Sequence, residues 1–331
     1  MTPVTASAPA RVDLAGGTLD LWPLYLLHEG STTVNVAINR RARANVSERG
    51  SGFELVSHDL AFEGLFASAG AARAAPEAAL AAGAAIALGL GEKVRIETWS
   101  EVPFGSGLGG SSALLVAIVA ALAAFSETEL STERIREICR DTETRVLGAP
   151  AGTQDSESAL RGGINVISFG VGGPVIETRP APEEEFSRHL VLFDSGKSHS
   201  SGLNNWRVYK ARIDGDPEVR DALDGIRDCA RSLAEAVRSL DFEGMGLAMG
   251  REWGFRKRLS KGVTTELLEE AERRCLDAGA WGAKACGAGG GGTLAVLAPP
   301  AKAPAVRESL RSLRASGIFD ARTDNDGLRV G

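Results

Sequence analysis

Residues 102–112 read Val-Pro-Phe-Gly-Ser-Gly-Leu-Gly-Gly-Ser-Ser, with four glycines in the six positions 105–110. Before them, Lys93–Trp99 alternates polar and apolar residues as a half-buried strand does, and after them an apolar helical run extends to about residue 125. Closely spaced glycines let backbone N–H groups converge, and the helix start adds unpaired donors and a positive dipole end. The stretch therefore predicts a phosphate-binding loop. The alternative interpretation is a glycine-rich turn whose serines cap the helix.

The same loop satisfies the pattern Gly-x-Gly-x-x-Gly, which alone is a weak indication of a dinucleotide-binding fold. The strand before it alternates, unlike a buried parallel strand, and the unit lies a third of the way into the chain. Glu127 and Glu129, about 20 positions on, fall at a helix end rather than a strand end. No Gly-Lys-Ser/Thr follows, so the loop is not of the Walker A type either. An oxidoreductase is the interpretation that these observations favour least.

Composition and charge indicate a globular protein of two domains. The chain has 331 residues, of which 44% are hydrophobic and 24% charged, and its net charge of −6 gives a nucleic-acid partner no electrostatic support. Apolar runs break before 18 residues, and the N-terminus lacks the pattern of a signal peptide. The four cysteines form no Cys-x-x-Cys pair, which disfavours zinc and fits a reducing compartment. We therefore expect a cytoplasmic protein with no nucleic-acid or membrane partner.

The order of the predicted elements favours an α+β fold, because strands and helices do not follow a strict βαβ repeat. The predicted strands lie at 4–15, 31–48, 93–99, 163–170, 190–194 and 293–297, with a short one at the C-terminus. The predicted helices lie at 71–91, 111–125, 131–146, 217–239, 241–252, 264–278 and 302–315. A Gly/Pro-rich stretch at 170–182 predicts the boundary between two domains, 1–172 and 173–331.

Three motifs in order resemble those of the GHMP kinases, the family of galactokinase, homoserine kinase, mevalonate kinase and phosphomevalonate kinase. They are APARVDLAGG at 8–17 continuing to Asp20, the loop from Pro103 to Ala113, and KACGAGGGG at 284–292. Together they span nearly the whole chain. The resemblance implies the two-domain α+β GHMP kinase fold, with ATP and substrate in the cleft between the domains. The branch that the motifs resemble most is that of heptose 7-phosphate kinases and fucokinase-like sugar kinases.

By this resemblance, Asp155 and Arg11 are the catalytic residues. A carboxylate such as Asp155 can orient the acceptor hydroxyl and accept its proton late in a loose transition state. A fixed cation such as Arg11 can hold that carboxylate ionised or stabilise charge on the phosphoryl group. Lysine is common at this position in the family, so the predicted role of Arg11 is charge rather than forked geometry. Taken alone, Asp155 is better explained as a helix cap, and the alternative for Arg11 is a surface residue on an edge strand.

The resemblance also implies binding residues for ATP, Mg²⁺ and a small sugar-like acceptor. The nucleotide is expected on Pro103, Gly105, Gly107, Leu108, Gly109, Gly110, Ser111 and Ser112. The acceptor is expected on Gly16, Gly17, Asp20, Gly289 and Gly290. Mg²⁺, which prefers oxygen ligands and takes few from protein, is expected on Ser112 and Glu143. The alternatives without a binding role are a turn for Asp20, a solvated helix face for Glu143 and a flexible turn for 287–292.

The first functional hypothesis is a kinase that phosphorylates a sugar or sugar phosphate, at the anomeric hydroxyl. A mevalonate-type kinase and a catalytically inactive metabolite-binding member of the family remain as alternatives. A substrate phosphate would require a basic cluster, for which the candidates are Arg40, Arg41, Arg43, Lys197, Arg207 and Lys210. Ser198, His199 and Ser200 lack the motif of a hydrolase nucleophile. A monomer and a homodimer are both open.

Overall fold

The computed structural model of the chain describes residues 2–196, 201–313 and 317–331. Its strands are β1 (Val4–Ala15), β2 (Thr32–Glu48), β3 (Phe53–Ser57), β4 (Phe62–Phe66), β5 (Val94–Ser100), β6 (Ile164–Gly170), β7 (Gly173–Arg179), β8 (Leu190–Asp194), β9 (Gly282–Ala285), β10 (Thr293–Leu297), β11 (Gly317–Phe319) and β12 (Arg329–Val330). Its helices are α1 (Ala69–Ala72), α2 (Ala79–Ala87), α3 (Gly110–Phe125), α4 (Thr132–Leu147), α5 (Gln154–Arg161), α6 (Glu183–His189), α7 (Ser201–Ile213), α8 (Pro217–Ser239), α9 (Phe242–Lys257), α10 (Glu266–Asp277) and α11 (Ala303–Arg311). The mixed order predicted for an α+β fold is confirmed.

The first sheet is built on the long antiparallel pair β1 and β2. Its strands lie in the order β12-β1-β2-β5-β3-β4, and only β3 and β5 are parallel among the described pairs. The C-terminal part of β2, Ala42–Glu48, pairs with β5, and its N-terminal part, Thr32–Val36, pairs with β6. The sheet therefore branches at β2, with β5 on one branch and β6 on the other. Helix α3 packs on β1 and β2, and its apolar face forms one core with Phe53, Val94 and Ile96.

The second sheet lies in the C-terminal half and has the order β11-β8-β10-β9 in the described chain, with every pair antiparallel. Helices α8 and α9 pack against each other, and α9 also contacts β1 of the first sheet and β9 of the second. The two sheets are therefore joined through α9.

Two predicted boundaries differ from the structure. The helix predicted at 71–91 is two helices, α1 and α2, separated by a turn around Pro76, since proline lacks the N–H of a helix interior and restricts the residue before it. The stretch 170–182, predicted as a domain boundary, contains β7, which pairs with β6 in the first sheet. The change of sheet therefore falls after Arg179, and β12 returns the C-terminus to the first sheet.

No helix among the described residues is long and apolar enough to cross a membrane. The four cysteines, Cys139, Cys229, Cys275 and Cys286, are free thiols with buried side chains.

Four buried charged side chains connect the two sheets. Lys284 of β9 donates to Asp13 of β1 at 2.9 Å and lies 3.5 Å from Glu252 of α9. Arg256, one turn along α9, pairs with Glu252 at 2.6 Å and donates to the carbonyl oxygen of Gly17 at 2.7 Å. Burial raises the pKa of Asp13, but the nearby cations Lys284, Arg256 and Arg11 outweigh this effect and lower it. The set is neutral, and each charge has a partner of the opposite sign.

We expect Lys284→Ala to destabilise the protein by about 3–5 kcal/mol, because it removes a cation that contacts two buried carboxylates, Asp13 and Glu252. Urea unfolding at neutral pH measures the loss. Lys210→Ala is the matched control. Lys210 of α7 forms an exposed pair with Asp214, and its removal should lower the free energy of unfolding by less than about 1 kcal/mol. Removing both charges with Asp13→Asn and Lys284→Met should restore part of the stability. Equal losses for the two alanine variants would contradict this prediction.

Candidate active site

A cavity of about 570 Å³ lies between the phosphate loop at 103–110, the start of α5 and the C-terminal half. One part of its lining is apolar and comes from β3, α2, α4 and the loops beside them, including Leu55, Leu60, Leu80, Phe104 and Leu147. Another part is polar and includes Arg11, Thr18, Asp20, Glu143, Gln154, Asp155 and Asn205. The cavity therefore combines an apolar surface with a concentrated set of polar groups, as small-molecule sites do.

The phosphate loop has a backbone that only glycine adopts readily. Gly105, Gly107 and Gly109 have φ values of +72°, +77° and +71°. Gly109 is the N-cap of α3 and no side chain caps this helix, so its first N–H groups stay available to a ligand. Pro103, Gly110 and Ser111 also line the cavity. Leu108, predicted to bind nucleotide, instead buries its side chain in the core, while its carbonyl oxygen accepts from Arg11 N at 2.9 Å.

The third glycine stretch packs directly on this loop. A Cβ on Gly292 would lie 2.5 Å from the carbonyl oxygen of Ser106, and one on Gly287 would lie 3.2 Å from that of Gly107. Thr293 N donates to Ser106 O at 2.8 Å. Gly287 lines the cavity, whereas Gly289 and Gly290, predicted to bind the acceptor, pack against Val263 and do not line it. The glycines here serve a close backbone contact between the two halves of the chain.

Arg11 and Asp155 form an ion pair beside the phosphate loop. Nε and Nη2 of Arg11 each lie 2.7 Å from Asp155 Oδ1, and Nη1 donates to the carbonyl oxygen of Gly107. Burial lowers the pKa of Arg11, but Asp155 and Asp13 raise it above its ordinary value, so the guanidinium is charged. Three nitrogens of the Arg11 guanidinium make these contacts, so the structure uses its forked geometry at a position where the sequence predicts a role for charge.

Ser112 and Glu143 bring two oxygens together at the start of α3. Ser112 Oγ donates to Glu143 Oε1 at 2.5 Å. Burial raises the pKa of Glu143 to about 7, although the hydrogen bond from Ser112 lowers it, and the charges of Asp155 and Asp20 contribute. Among the described residues, no group of three or more His, Cys, Asp or Glu side chains has the geometry to hold a metal ion. Two oxygens beside a phosphate loop fit Mg²⁺, which completes its shell with phosphate oxygens and water.

Asp20 lies under the start of α5. Its Oδ2 accepts from the backbone N–H groups of Thr153 at 2.8 Å and Gln154 at 3.1 Å. Burial raises the pKa of Asp20 to about 6, although the hydrogen bond from Gln154 lowers it. The contact is close, since a Cβ on Gly152 would come within 1.9 Å of Oδ2. Asp20 thus holds the helix end that presents Asp155, and it also lines the cavity.

Several other candidates from the sequence do not belong to the described lining of the cavity. Gly17 lines it, but Gly16 lies behind it, where φ is +89° and a Cβ would lie 2.0 Å from Thr32 O. Arg41 pairs with Asp324, and Arg43 stacks over the ring of Trp99. Arg40, Arg207 and Lys210 also lie off the described lining. Lys197, Ser198, His199 and Ser200 are outside the described residues.

Sequence reasoning missed several polar residues of the lining and the support of α5. Thr18, Gln154 and Asn205 line the cavity, and Thr18 Oγ1 lies 3.4 Å from Asn205 Oδ1. Glu157 is fully buried between Arg136 and Arg161 at 2.6 and 2.7 Å and anchors the helix to α4. The position of Gln154 directly before the predicted Asp155 was the available signal.

Two family models match this chain: the GHMP kinases N terminal domain at residues 72–163 and the GHMP kinases C terminal region at 233–315. Together they cover more than half of its length. The chain is 30% identical to mevalonate kinase of Thermococcus sibiricus over 247 residues, which is 72% of this chain and 69% of that protein. The chain therefore belongs to the GHMP kinase family and is a small-molecule phosphotransferase by class.

Two further matches carry the names of sugar-phosphate kinases. It is 28% identical to D-glycero-alpha-D-manno-heptose 7-phosphate kinase of Campylobacter jejuni over 221 residues, or 65% of this chain and just 64% of that relative. The crystal structure of a D-glycero-D-manno-heptose 1-phosphate kinase from Bacteriodes thetaiotaomicron superposes with a TM-score of 0.77 at 23% identity, covering 99% of this chain and 98% of that one. The second match shows the fold, which is the predicted GHMP kinase fold.

We expect Asp20→Asn to change the pH dependence of stability. The folded-state pKa of about 6 lies above the ordinary 3.8, so the folded protein binds this proton more tightly than the unfolded chain does. Stability is then lost as the pH rises from about 4 to about 6, by about 2–3 kcal/mol in all. The asparagine variant lacks this loss, so its stability relative to wild type should rise over that window. Urea unfolding at several pH values measures it, with Asp214→Asn as an exposed control. A constant difference between variant and wild type would refute the assignment.

We expect Gly292→Ala to separate the two glycine loops. A Cβ there would meet the Ser106 carbonyl oxygen at 2.5 Å, and φ is +72°, so the variant should lose about 1–3 kcal/mol of stability and bind ATP more weakly. Thermal unfolding and nucleotide titration measure both effects. Gly172→Ala, in the β6–β7 turn with no atom within 4 Å of its Cβ, should change neither. If both variants behave like wild type, the loop contact is not required.

Proposed function

We propose that the protein transfers the γ-phosphate of ATP to a hydroxyl, the anomeric one, of a sugar or sugar phosphate. The observation that carries the proposal is the Arg11–Asp155 pair, which lies against the phosphate loop at the polar part of the cavity. A carboxylate held next to a phosphate site is placed to meet a hydroxyl that attacks the terminal phosphate.

The loop and the apolar lining support the binding of ATP. The uncapped N-terminus of α3 and the backbone of 105–110 offer N–H donors and a positive dipole end to the phosphates. The apolar lining around Leu55, Leu80 and Leu147 provides a surface for the flat base. Phosphates and base then occupy adjoining parts of one cavity.

Asp155 and Arg11 have separate roles in the proposed transfer. Asp155 orients the acceptor hydroxyl and receives its proton as the new O–P bond forms and the bond between the γ-phosphorus and the bridging oxygen of ATP breaks, releasing ADP. Arg11 fixes the carboxylate through Nε and Nη2 and is held in turn by the carbonyl oxygen of Gly107. Its charge also favours the negative charge on the phosphoryl oxygens in the transition state. In phosphoryl transfer such positioning and electrostatic stabilisation account for most of the rate.

Ser112 and Glu143 are the residues that would hold Mg²⁺. Their oxygens lie 2.5 Å apart beside the phosphate loop, and Asp155 and Asp20 add to the negative field there. When bound, the ion neutralises charge on the phosphate oxygens.

The lining favours a neutral, hydroxylated acceptor over mevalonate. Thr18, Asp20, Gln154 and Asn205 offer hydrogen-bonding groups, whereas Arg11 is the one cation among the described lining residues and is already paired. The carboxylate of mevalonate would have no free cation in this part of the cavity, and neither would the phosphate of a sugar phosphate, so the described lining supports a neutral sugar best. A mevalonate-type kinase nevertheless remains the second candidate, because a relative at 30% identity carries that name.

The class of acceptor is tested by ADP release from Mg-ATP with a panel of D-mannose, D-galactose, L-fucose, D-glycero-D-manno-heptose 7-phosphate and mevalonate. Release with a sugar or sugar phosphate supports the proposal. Release with mevalonate alone would move the enzyme to the second candidate. ATP binding without release on any acceptor would favour an inactive, metabolite-binding protein.

We expect Asp155→Asn to lower kcat by at least about 100-fold while ATP affinity stays unchanged, because the variant cannot accept the proton. Arg11→Lys should give a smaller loss, since it keeps the charge and loses the forked contacts. Steady-state kinetics and nucleotide titration separate the two effects, and Asp214→Asn is the control. Wild-type kcat in Asp155→Asn would exclude Asp155 as the catalytic base.

A further inference from the structure

Gln154 is a buried polar residue of the cavity that the proposed reaction does not yet use. It is the first residue of α5, directly before Asp155, and the residue is 5% exposed. Its Oε1 is buried and has no hydrogen-bond partner among the described residues. Buried amide oxygens are nearly always paired, so an unpaired one in a residue that lines a cavity indicates a group that a ligand completes.

The backbone of Gln154 is fixed from both sides. Its N–H donates to Asp20 at 3.1 Å, and its carbonyl oxygen accepts from Asn35 Nδ2 at 3.0 Å. Asn35 is held by Asn165, which in turn accepts from Thr178. The start of α5 is therefore set by a row of buried hydrogen bonds, and the Gln154 side chain leaves it from a defined place.

The Gln154 side chain lies close to Gly17, in the motif at 8–17. A Cβ on Gly17 would come within 3.0 Å of Gln154 Nε2, so the glycine makes room for the amide. The carbonyl oxygen of Gly17 is already occupied by Arg256. Thr18 is likewise engaged, by Arg256 at 3.3 Å and Asn205 at 3.4 Å. Because Gly17 O and Thr18 already have hydrogen-bond partners, we expect the Gln154 amide to bind a group in the cavity.

We propose that Gln154 selects a polyhydroxyl acceptor by binding, through its side-chain amide, a hydroxyl next to the one that is phosphorylated. This inference rests on the proposed function and names the chemistry of the acceptor. Gln154 and Asp155 are consecutive in the first turn of α5 and line the same cavity, so the groups they bind must be close on the acceptor. An uncharged amide has both a donor and an acceptor, which matches a hydroxyl and does not compensate a carboxylate.

One experiment observes Gln154 directly, because it is the only glutamine in the 331 residues. Glutamine labelled with ¹⁵N in the side chain gives a single NH₂ pair in NMR, which Gln154→Ala must abolish. The ligand is the panel sugar with the greatest ADP release, added with a non-hydrolysable ATP analogue. We expect the pair to shift on addition of the sugar and to stay unchanged with mevalonate. An unchanged pair at saturating sugar would overturn the inference.

Kinetics separate acceptor binding from a merely structural role. Gln154→Ala and the isosteric Gln154→Glu should raise KM for the sugar about tenfold, with KM for ATP and kcat changed little. Asn45→Ala, which removes an amide paired with Thr5 outside the cavity, should change none of the three values. Thermal unfolding confirms that each variant is folded.

The outcomes distinguish the two proposals. Sugar turnover with an unchanged sugar KM in both Gln154 variants would overturn the inference and leave the kinase assignment intact. Turnover of mevalonate alone, or of no panel compound, would overturn the sugar kinase proposal and this inference with it.

Discussion

The contact of Lys284 with Asp13 and Glu252 joins segments far apart in sequence, and two glycine motifs depend on it. Asp13 lies three residues before Gly16-Gly17, and Lys284 begins the run that ends in Gly292. Side chains two apart on a strand face the same way, so β1 directs both Arg11 and Asp13 inward. Arg11 reaches Asp155 and Asp13 reaches Lys284. A buried pair of this kind adds little net stability by itself but strongly penalises any arrangement that separates its members.

Negative charge dominates the cavity beside this buried ion pair. Asp20, Glu143 and Asp155 line it together with one described cation, Arg11, in a chain of net charge −6. The pKa values of Asp20 and Glu143, raised to about 6 and about 7, express the cost of burying these carboxylates. Such a site attracts a cation more readily than a polyanion. The proposed binding of ATP therefore depends on backbone N–H groups, the α3 dipole and Mg²⁺ rather than on lysines or arginines.

Sequence patterns predicted what glycine spacing and hydrophobic periodicity control. The loop at 105–110, helices α3, α8 and α9, and strands β5 and β10 follow from such local signals. The break at Pro76 and the strand β7 did not, because a proline in an alanine-rich run and a Gly/Pro-rich stretch each permit two structures until packing selects one. The buried partners of Lys284 lie 32 and 271 positions away, and no local pattern specifies them.

The same difference between local patterns and long-range packing determines which site residues the sequence could predict. The sequence shows where glycines cluster, and so where the backbone needs positive φ, but it does not show whether a glycine faces a ligand or another stretch of backbone. Gly289 and Gly290 are an example, since both pack against Val263. Asp20 was expected on the acceptor, yet its hydrogen bonds go to the start of α5. A carboxylate at a cavity wall can serve both, since Asp20 binds the helix end through Oδ2 and also lines the cavity.

Helix α5 shows how this fold fixes a reactive group. It has eight residues, too few to be stable alone, and neither end is held by a cap from its own side chains. Its position comes instead from Asp20 and Asn35 at the first turn and from Glu157 on its buried face. Each of these groups is desolvated, and each is compensated by a specific partner. Residues presented by such a helix have little freedom to move, so a group that is left unpaired in its first turn is better explained by what enters the cavity than by slack in the packing.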